Sequence, residues 1–378
     1  MKSKPIKVLY TIPNFDTAGS KIVLYKILAH IDKSRFEPHV MVLHNRGYWY
    51  KRVTQLGIPT HTLNFTHRMR PILEGIKHCW KVSRFFKEKQ FDIIYSFHYH
   101  ADYSEPLAAR MAGIPWIYVK KNMGWFGANH NAWRLRSFLA NEIVVQNTDM
   151  LKEFFPNSRK THYIPIGVDT NEFFPYDLPL EFYQKNGLIP SDFNIISVSS
   201  LLPIKGVDLI LHAFSRFQSK IQNSKLIIVG DDSSEYAGQL KTLAKELHIN
   251  ENVIFAGSQN NINEWLNASD LFIQATKNEG RREGAPIALQ EAMAAGCIVL
   301  GSRVAGIKDQ LGTCPELLFT AGNIDELTTK INWVFSFNDL QKENYKKILM
   351  ELINNRYSLD LEIQNHQHLL TKTVNPSH

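Results

Sequence analysis

Residues Leu271 to Gly301 read LFIQATKNEGRREGAPIALQEAMAAGCIVLG. The apolar run Leu271 to Ala275 has the length and composition of a strand. A polar loop follows, Lys277 to Glu283. Pro286 suits a first helical turn and Gly296 a helix stop, so Pro286 to Ala295 reads as a helix. Cys297 to Gly301 is apolar again and reads as the next strand. Strand, loop, helix and strand within about 30 residues make one βαβ unit, whose two strands run parallel.

The same alternation extends in both directions. Upstream lie a strand at Asn194 to Ser199, a helix at Asp208 to Phe217 and a strand at Lys225 to Gly230. A helix at Gln239 to Leu247 and a strand at Asn252 to Ala256 complete that half. Further back, strand-like runs occupy Val8 to Ile12, His39 to Leu43, Asp92 to Ser96, Trp116 to Val119 and Ile143 to Val145, with helical spacing at Ile22 to Ile31 and Pro106 to Ala112. Pro156, Pro165, Gly167, Pro175, Pro179 and Pro190 crowd residues 156–190, which therefore read as an interdomain linker. Leu359 to Leu370 has the apolar spacing of a final helix. The pattern predicts an α/β protein of two Rossmann-like domains, residues 1–168 and 169–356, with a helix and tail at 357–378 that packs back on the first domain. Ligands of such sheets bind beyond the carboxyl ends of the strands, so the expected site is a cleft between the domains.

Composition narrows the class. The chain has 378 residues, of which 44% are hydrophobic and 21% charged, an ordinary globular balance. Cys79, Cys297 and Cys314 stand far apart, which argues against a disulfide scaffold or a structural zinc site. The first apolar run, Val8 to Ile12, is too short for a signal peptide's core, and no stretch approaches the roughly 20 apolar residues of a membrane span. The expectation is a cytoplasmic protein, soluble or peripheral on the inner face of the membrane. Charge is unevenly placed. Residues 1–170 hold 25 Lys/Arg against 12 Asp/Glu, and residues 171–378 hold 18 against 24. One half is basic and suits a polyanionic surface. No nucleic-acid motif accompanies that charge, so no nucleic-acid partner is expected.

Four segments carry chemistry. In the opening stretch, the amides of the helix that begins at Pro286 favour an anion such as a diphosphate, with Gly284 and Ala285 small enough to let it approach. Glu291 falls between Ile287 and Ala295 on the helix, among small apolar neighbours, where sugar hydroxyls would satisfy it. An equal alternative is that Glu283 neutralises the helix N-terminus and Glu291 reaches solvent. The second segment is Val198 to Gly206. Lys205, held after a strand beside a helix-starting Gly, suits a diphosphate clamp, against the alternative of a solvated loop lysine. The third, Phe15 to Lys21, places Gly19 in a loop between first strand and first helix, where backbone can approach a phosphate or where the chain simply turns. The fourth comprises His98 and His100 after one strand and Lys120, Lys121 and Asn122 after the next. A His-x-His pair without cysteines reads as hydrogen-bonding more often than metal-binding, and no metal site is expected.

Two Glu residues with seven residues between them, inside Glu283-Gly284-x-Pro286 and Glu291-Ala292-Met293-Ala294-x-Gly296, resemble the signature of family-four retaining glycosyltransferases of the surface-polysaccharide and lipopolysaccharide type. Pro165-Ile166-Gly167-Val168-Asp169, Ile228-Val229-Gly230-Asp231, Phe255-Ala256-Gly257 and Ala268-Ser269-Asp270 resemble further family segments in family order. The resemblance implies the GT-B fold, with an acceptor-binding first domain and a second domain that binds a nucleotide-diphosphate sugar, UDP- or GDP-linked. It implies a retaining hexosyltransferase that needs no cofactor and no metal, and no Asp-x-Asp motif occurs in the chain. The acceptor it implies is a saccharide or lipid-linked saccharide.

The resemblance also distributes roles. Glu283 contacts donor-sugar hydroxyls and Glu291 the ribose. Lys205 binds the diphosphate, and Gly19, Gly230 and Gly257 line the donor. Ser200 stands where the family has an Arg, for which Arg281 or Arg282 compensates. Ala18 and Lys21 replace a Gly and a Glu of the family's first loop. Lys120, Lys121 and Asn122 occupy the place of a family His, leaving His98 as the catalytic candidate on the acceptor side. These departures motivate a second reading, a catalytically silent relative that binds a sugar nucleotide or a partner. Finally, Lys51-Arg52, Arg68-Met69-Arg70 and the stretch Lys77 to Lys89, with Trp80, Phe85 and Phe86 interleaved, suit an anionic membrane surface, against the alternative of a solvated helix face.

Overall fold

The run at Val8 to Ile12 becomes the central strand of a parallel sheet. In the computed structural model, which describes residues 4–16, 19–98, 100–124, 130–279 and 284–375, this is β1 (Ile6–Thr11). It is followed by β2 (Phe36–Val42), β3 (Thr60–Thr62), β4 (Ile93–Ser96), β5 (Trp116–Lys120), β6 (Glu142–Val145) and β7 (Thr161–Tyr163). Among the described residues these form one seven-stranded sheet in the order β3-β2-β1-β4-β5-β6-β7, every neighbouring pair parallel. β4 and β5 are buried along their whole length, as strands with helices on both faces must be.

A second sheet repeats the plan. It contains β8 (Phe193–Val198), β9 (Ser224–Val229), β10 (Val253–Gly257), β11 (Leu271–Gln274), β12 (Ile298–Ser302) and β13 (Leu318–Phe319), in the order β10-β9-β8-β11-β12-β13, again parallel. In each sheet the chain winds outward from a central strand, then returns to that strand's other side. The reversals fall between β1 and β4 and between β8 and β11.

The chain divides into two compact units, residues 1–164 with 362–378, and residues 165–361. The expected linker is therefore only partly a linker. Residues 161–163 form β7 on the edge of the first sheet, a strand of three residues that leaves little periodicity to read. Beyond it, Val168 and Phe173 are buried in the second unit's core. Val168 donates from its amide to the Tyr357 carbonyl at 2.8 Å and accepts from the Leu359 amide at 2.9 Å. A Cβ on Gly167 would stand 2.4 Å from the Ser358 carbonyl oxygen, so that contact needs glycine. These bonds draw the boundary back to 164/165. The final helix runs Leu359–Val374 and belongs to the first unit from Glu362 onward. There the Tyr95 hydroxyl and His366 Nδ1 share a buried hydrogen bond of 2.6 Å.

Local signals explain where the other helices begin. Ser234 caps Glu235–Glu246, its hydroxyl accepting from the Ala237 amide, so that helix starts four residues before its apolar spacing does. Asn338 and Gln341 form a reciprocal capping box at the start of Asp339–Leu352.

Gly206 and Gly238 make a paired test of this account. Gly206 has φ +68°, and a Cβ there would lie 2.1 Å from the Ala275 carbonyl oxygen. Gly238 lies inside Glu235–Glu246 with open space around it. Gly206→Ala should cost more than about 2 kcal/mol, by left-handed strain and backbone displacement together. Gly238→Ala should gain about 0.5–1 kcal/mol, and urea unfolding of both variants measures the difference.

Candidate donor and acceptor sites at the strand ends

In the second unit, the chain beyond β8 runs through Ser199 and exposed Ser200 into a single 3-10 turn, Pro203–Lys205. Gly206 follows in the left-handed conformation and starts the helix Val207–Gln218. The Lys277 amide donates to the Ile204 carbonyl at 2.8 Å. The segments after β8 and β11 are thus fastened to one another at the point where the sheet reverses. Lys205 is half-buried there.

On the other side of β8 the backbone is equally tight. A Cβ on Gly230 would stand 2.1 Å from the Ser199 carbonyl oxygen, and the Gly230 amide donates to the Gly257 carbonyl at 3.0 Å. Gly230 and Gly257 therefore bring the ends of β9 and β10 up to the end of β8. Their absent side chains leave backbone lining this edge.

After β11, Ala275 and Thr276 are buried, and the Thr276 carbonyl accepts from the Ser302 hydroxyl at the end of β12. Arg281, Arg282 and Glu283 lie outside the described residues. The chain is described again from Gly284, which is buried, followed by half-buried Ala285 and buried Pro286. Gly306 passes so near that its Cβ would meet the Gly284 carbonyl at 2.3 Å. Gln310 Nε2 donates to the Pro286 carbonyl at 3.1 Å. The helix that follows is Ile287–Ala294, with Pro286 at its N-cap and no acidic residue in its first turn. Its N-terminal amides carry the helix's partial positive charge, with no acid inside the first turn to offset it. Glu291, one turn in, is half-buried. Its neighbour Gln290 is fully buried and donates to the Ile166 carbonyl at 2.9 Å.

Sequence reasoning passed over a side-chain network beside this site. Lys277 Nζ lies 2.8 Å from Asp208 Oδ2, and the Tyr236 hydroxyl donates to Asp208 Oδ1 at 3.1 Å. Burial, then the Asp208 charge, holds the Tyr236 phenol above its usual range. The signal was present: Lys277 stands directly after a strand, and Asp208 in a first helical turn.

In the first unit, the reversal between β1 and β4 gathers a second group. Gly19, at φ 78°, precedes the helix Ser20–His30. His98, beyond β4, is only 4% exposed. Burial first, then the charges of Arg136, His100 and Lys121, hold its imidazole well below the usual histidine range, so it is neutral at pH 7. Its Nδ1 lies 4.0 Å from Glu105 Oε2 and has no hydrogen-bond partner among the described residues.

Lys120, expected at the acceptor, is turned inward. Its amine donates to the carbonyls of Asn122 at 2.8 Å and Gly124 at 2.9 Å and lies 4.2 Å from the Phe154 ring centre. It holds the loop after β5 in shape. Asn122 is buried in that loop. Lys121 is half-buried as a residue, and its amine donates to the Phe97 carbonyl. Burial, with Lys21 and Arg136 adding like charge, keeps it well below the usual lysine range.

Beneath these residues lies a buried ion pair that the sequence did not reveal. Glu105 and Arg136 are fully buried, 3.8 Å apart. Glu105 accepts from the hydroxyls of Thr11 and Ser96, and burial pushes its carboxyl upward against those bonds. Arg136 donates to the His98 carbonyl at 2.8 Å and lies 4.7 Å from the Trp116 ring centre. The pair therefore fixes the backbone that carries His98. Partners 31 residues apart leave no local pattern to read.

Two open parallel sheets, the second with glycine-tightened loops at its reversal, define the tandem Rossmann-like architecture of GT-B glycosyltransferases. Comparison with known proteins agrees. The Glycosyltransferase Family 4 model matches residues 17–172, and the Glycosyl transferases group 1 model matches residues 181–348. The chain belongs to glycosyltransferase family 4. It is 32% identical over 142 residues, 38% of this chain, to N-acetyl-alpha-D-glucosaminyl L-malate synthase of Bacillus anthracis. It is 28% identical over 165 residues, 43% of this chain, to lipopolysaccharide glucosyltransferase WaaG of Escherichia coli K12. The matched stretches span 35% and 42% of those two relatives. Anabaena Alr3699/HepE, crystallised with UDP and glucose, shares the fold with a TM-score of 0.78 at 20% identity, over 97% of this chain and 99% of that one.

The buried pair is open to a direct test. Arg136→Met leaves the Glu105 carboxylate buried without its cation and should cost about 3–5 kcal/mol in urea unfolding. Adding Glu105→Gln removes the stranded charge and should recover part of that loss. A cost below about 1 kcal/mol for Arg136→Met would contradict the role given to the pair.

Proposed function

We propose that the enzyme transfers a hexosyl group, with retention of configuration and without a metal ion, from a nucleoside-diphosphate sugar to a saccharide or lipid-linked saccharide. The observation that carries this reading is the fastening of the Lys205 and Pro286 segments to one sheet reversal, where a cation and a helix N-terminus stand at adjacent strand ends. UDP is the first donor to try, because Alr3699/HepE was crystallised with it; GDP is the alternative. WaaG's name supports a saccharide acceptor of the lipopolysaccharide kind. A cytoplasmic enzyme working at the membrane's inner face fits a donor and an acceptor of these kinds.

In the proposed reaction, the bond between the sugar's anomeric carbon and the diphosphate oxygen breaks, and its electron pair leaves with the diphosphate. Lys205 and the amides at the start of Ile287–Ala294 stabilise the charge that develops there. The acceptor hydroxyl attacks from the face the diphosphate leaves, and its proton passes to the departing phosphate oxygen. Glu291 holds the nucleotide's ribose and Glu283 the hydroxyls of the transferred sugar, as the family resemblance implies. Neutral His98, on its Arg136-braced segment, serves the acceptor side.

Nucleotide release from UDP- and GDP-sugars, with a lipopolysaccharide-core or lipid-linked acceptor, tests this reading. Lys205→Ala should lower kcat/KM by about 10²–10³-fold, the usual loss for one group that stabilises a developing anion. Glu291→Ala should raise the donor KM, and EDTA should leave the rate unchanged. Unaltered turnover in Lys205→Ala would overturn the assignment. Ser200, standing where the family has Arg, favours one other outcome: nucleotide-sugar binding with neither transfer nor release, which would mark a silent relative.

A further inference from the structure

The helix Ile72–Glu88 carries a feature that sugar transfer does not use. One side packs inward through Cys79, Val82 and Phe86. The side next to it exposes large apolar residues: Ile72 is 64% exposed, Leu73 74%, Ile76 44% and Trp80 54%. At about 100° per residue these four span roughly 100° of arc, a continuous ridge of two and a half turns. Scattered apolar residues on a surface need no explanation, but a contiguous ridge does.

Basic residues border that ridge. Lys77, Lys81 and Arg84 are exposed along its flank, and Arg84 lies 5.0 Å from the Trp80 ring centre. Arg68 and Arg70 are exposed in the segment that leads into the helix. Glu88 falls among these cations and is paired with Arg84 at 3.7 Å, and Glu74 lies beyond them. The structure changes the reading of this stretch from the sequence. Phe86 is buried and Phe85 half-buried, whereas Ile72, Leu73 and Ile76 supply the exposed apolar surface. Arg52, another expected contributor, instead lies over the rings of Tyr25, Tyr48 and Trp49.

We infer that the outer face of helix Ile72–Glu88 docks on an anionic lipid surface, with Ile72, Leu73, Ile76 and Trp80 entering the headgroup boundary and Lys77, Lys81 and Arg84 meeting lipid phosphates. Charge complementarity selects this occupant: an apolar ridge flanked by cations on one side matches an acyl boundary beneath anionic headgroups. Among the described residues no helix is long and apolar enough to cross a membrane, so the docking is peripheral. The inference rests on the proposed function only for its purpose, since a lipid-linked acceptor would present itself at such a surface.

Sedimentation with vesicles tests it without donor or acceptor. Vesicles of phosphatidylcholine with about 30% phosphatidylglycerol should bind the full chain at about 0.05 M salt and release it at about 0.5 M, where surface charges are screened. Pure phosphatidylcholine should bind at least tenfold more weakly. Leu73→Ser/Ile76→Ser/Trp80→Ser and Lys77→Glu/Lys81→Glu/Arg84→Glu, all at exposed positions, should each lose at least tenfold in binding while keeping the wild-type unfolding midpoint. No binding by wild type at low salt overturns the inference, as does equal binding by either variant. A dimer in size-exclusion chromatography that disappears in the apolar variant, with no vesicle binding, assigns the face to a second copy of the chain instead. Nucleotide release from a soluble donor, measured in parallel, reports separately on the proposed reaction.

Discussion

A parallel sheet that grows outward from its centre in two directions must reverse once, and loops leaving the strands on either side of that reversal diverge to opposite faces. The gap they open is the only part of the strand-end surface that the fold itself does not cover. In this chain the reversals lie at β1/β4 and β8/β11. The second is held to tight tolerance: Gly206 passes the Ala275 carbonyl with no room for a Cβ, Gly230 does the same against Ser199, and Gly306 against Gly284. Three glycines set how near the backbone beyond the ends of four strands, β8, β9, β11 and β12, comes together.

The two units answer the same topology with different electrostatics. At β8/β11 the positive character is built from Lys205 and the start of Ile287–Ala294, whose first turn carries no acid to cancel it. At β1/β4 the charge is internal. Glu105 and Arg136 neutralise one another out of contact with water, and a buried pair of that kind fixes geometry more than it adds stability. Arg136 of the pair braces the His98 backbone, and burial first, then the Arg136 charge, keeps the imidazole neutral. One end suits an anion, the other a neutral hydroxyl-bearing partner.

The fold was legible because parallel strands buried on both faces write themselves as unbroken apolar runs, such as Ile93–Tyr95 and Ile298–Leu300. β3, β7 and β13 were not, being two or three residues long at sheet edges. At the candidate site, Lys205 and Gly206 were readable from their place after a strand, whereas Gly230 and Gly257 came only with the family resemblance. Glu105 with Arg136 was not, because an ion pair between the helices Ser104–Ala112 and His130–Leu139 has no spacing in sequence. Lys120 misled for a related reason. It was read as following the strand but is the last residue of β5, and the direction of its amine is set by the carbonyls of Asn122 and Gly124, which the fold brings beneath it.

The central claim is that the donor's diphosphate lies at the β8/β11 reversal of the second unit. Amide hydrogen exchange with and without UDP, or GDP if UDP does not bind, tests it directly. The account predicts slowed exchange at the amides of Gly206 to Leu209 and of Ile287 to Gln290, with the first unit's strand ends unchanged by nucleotide alone. Binding whose protection spares both segments would contradict it.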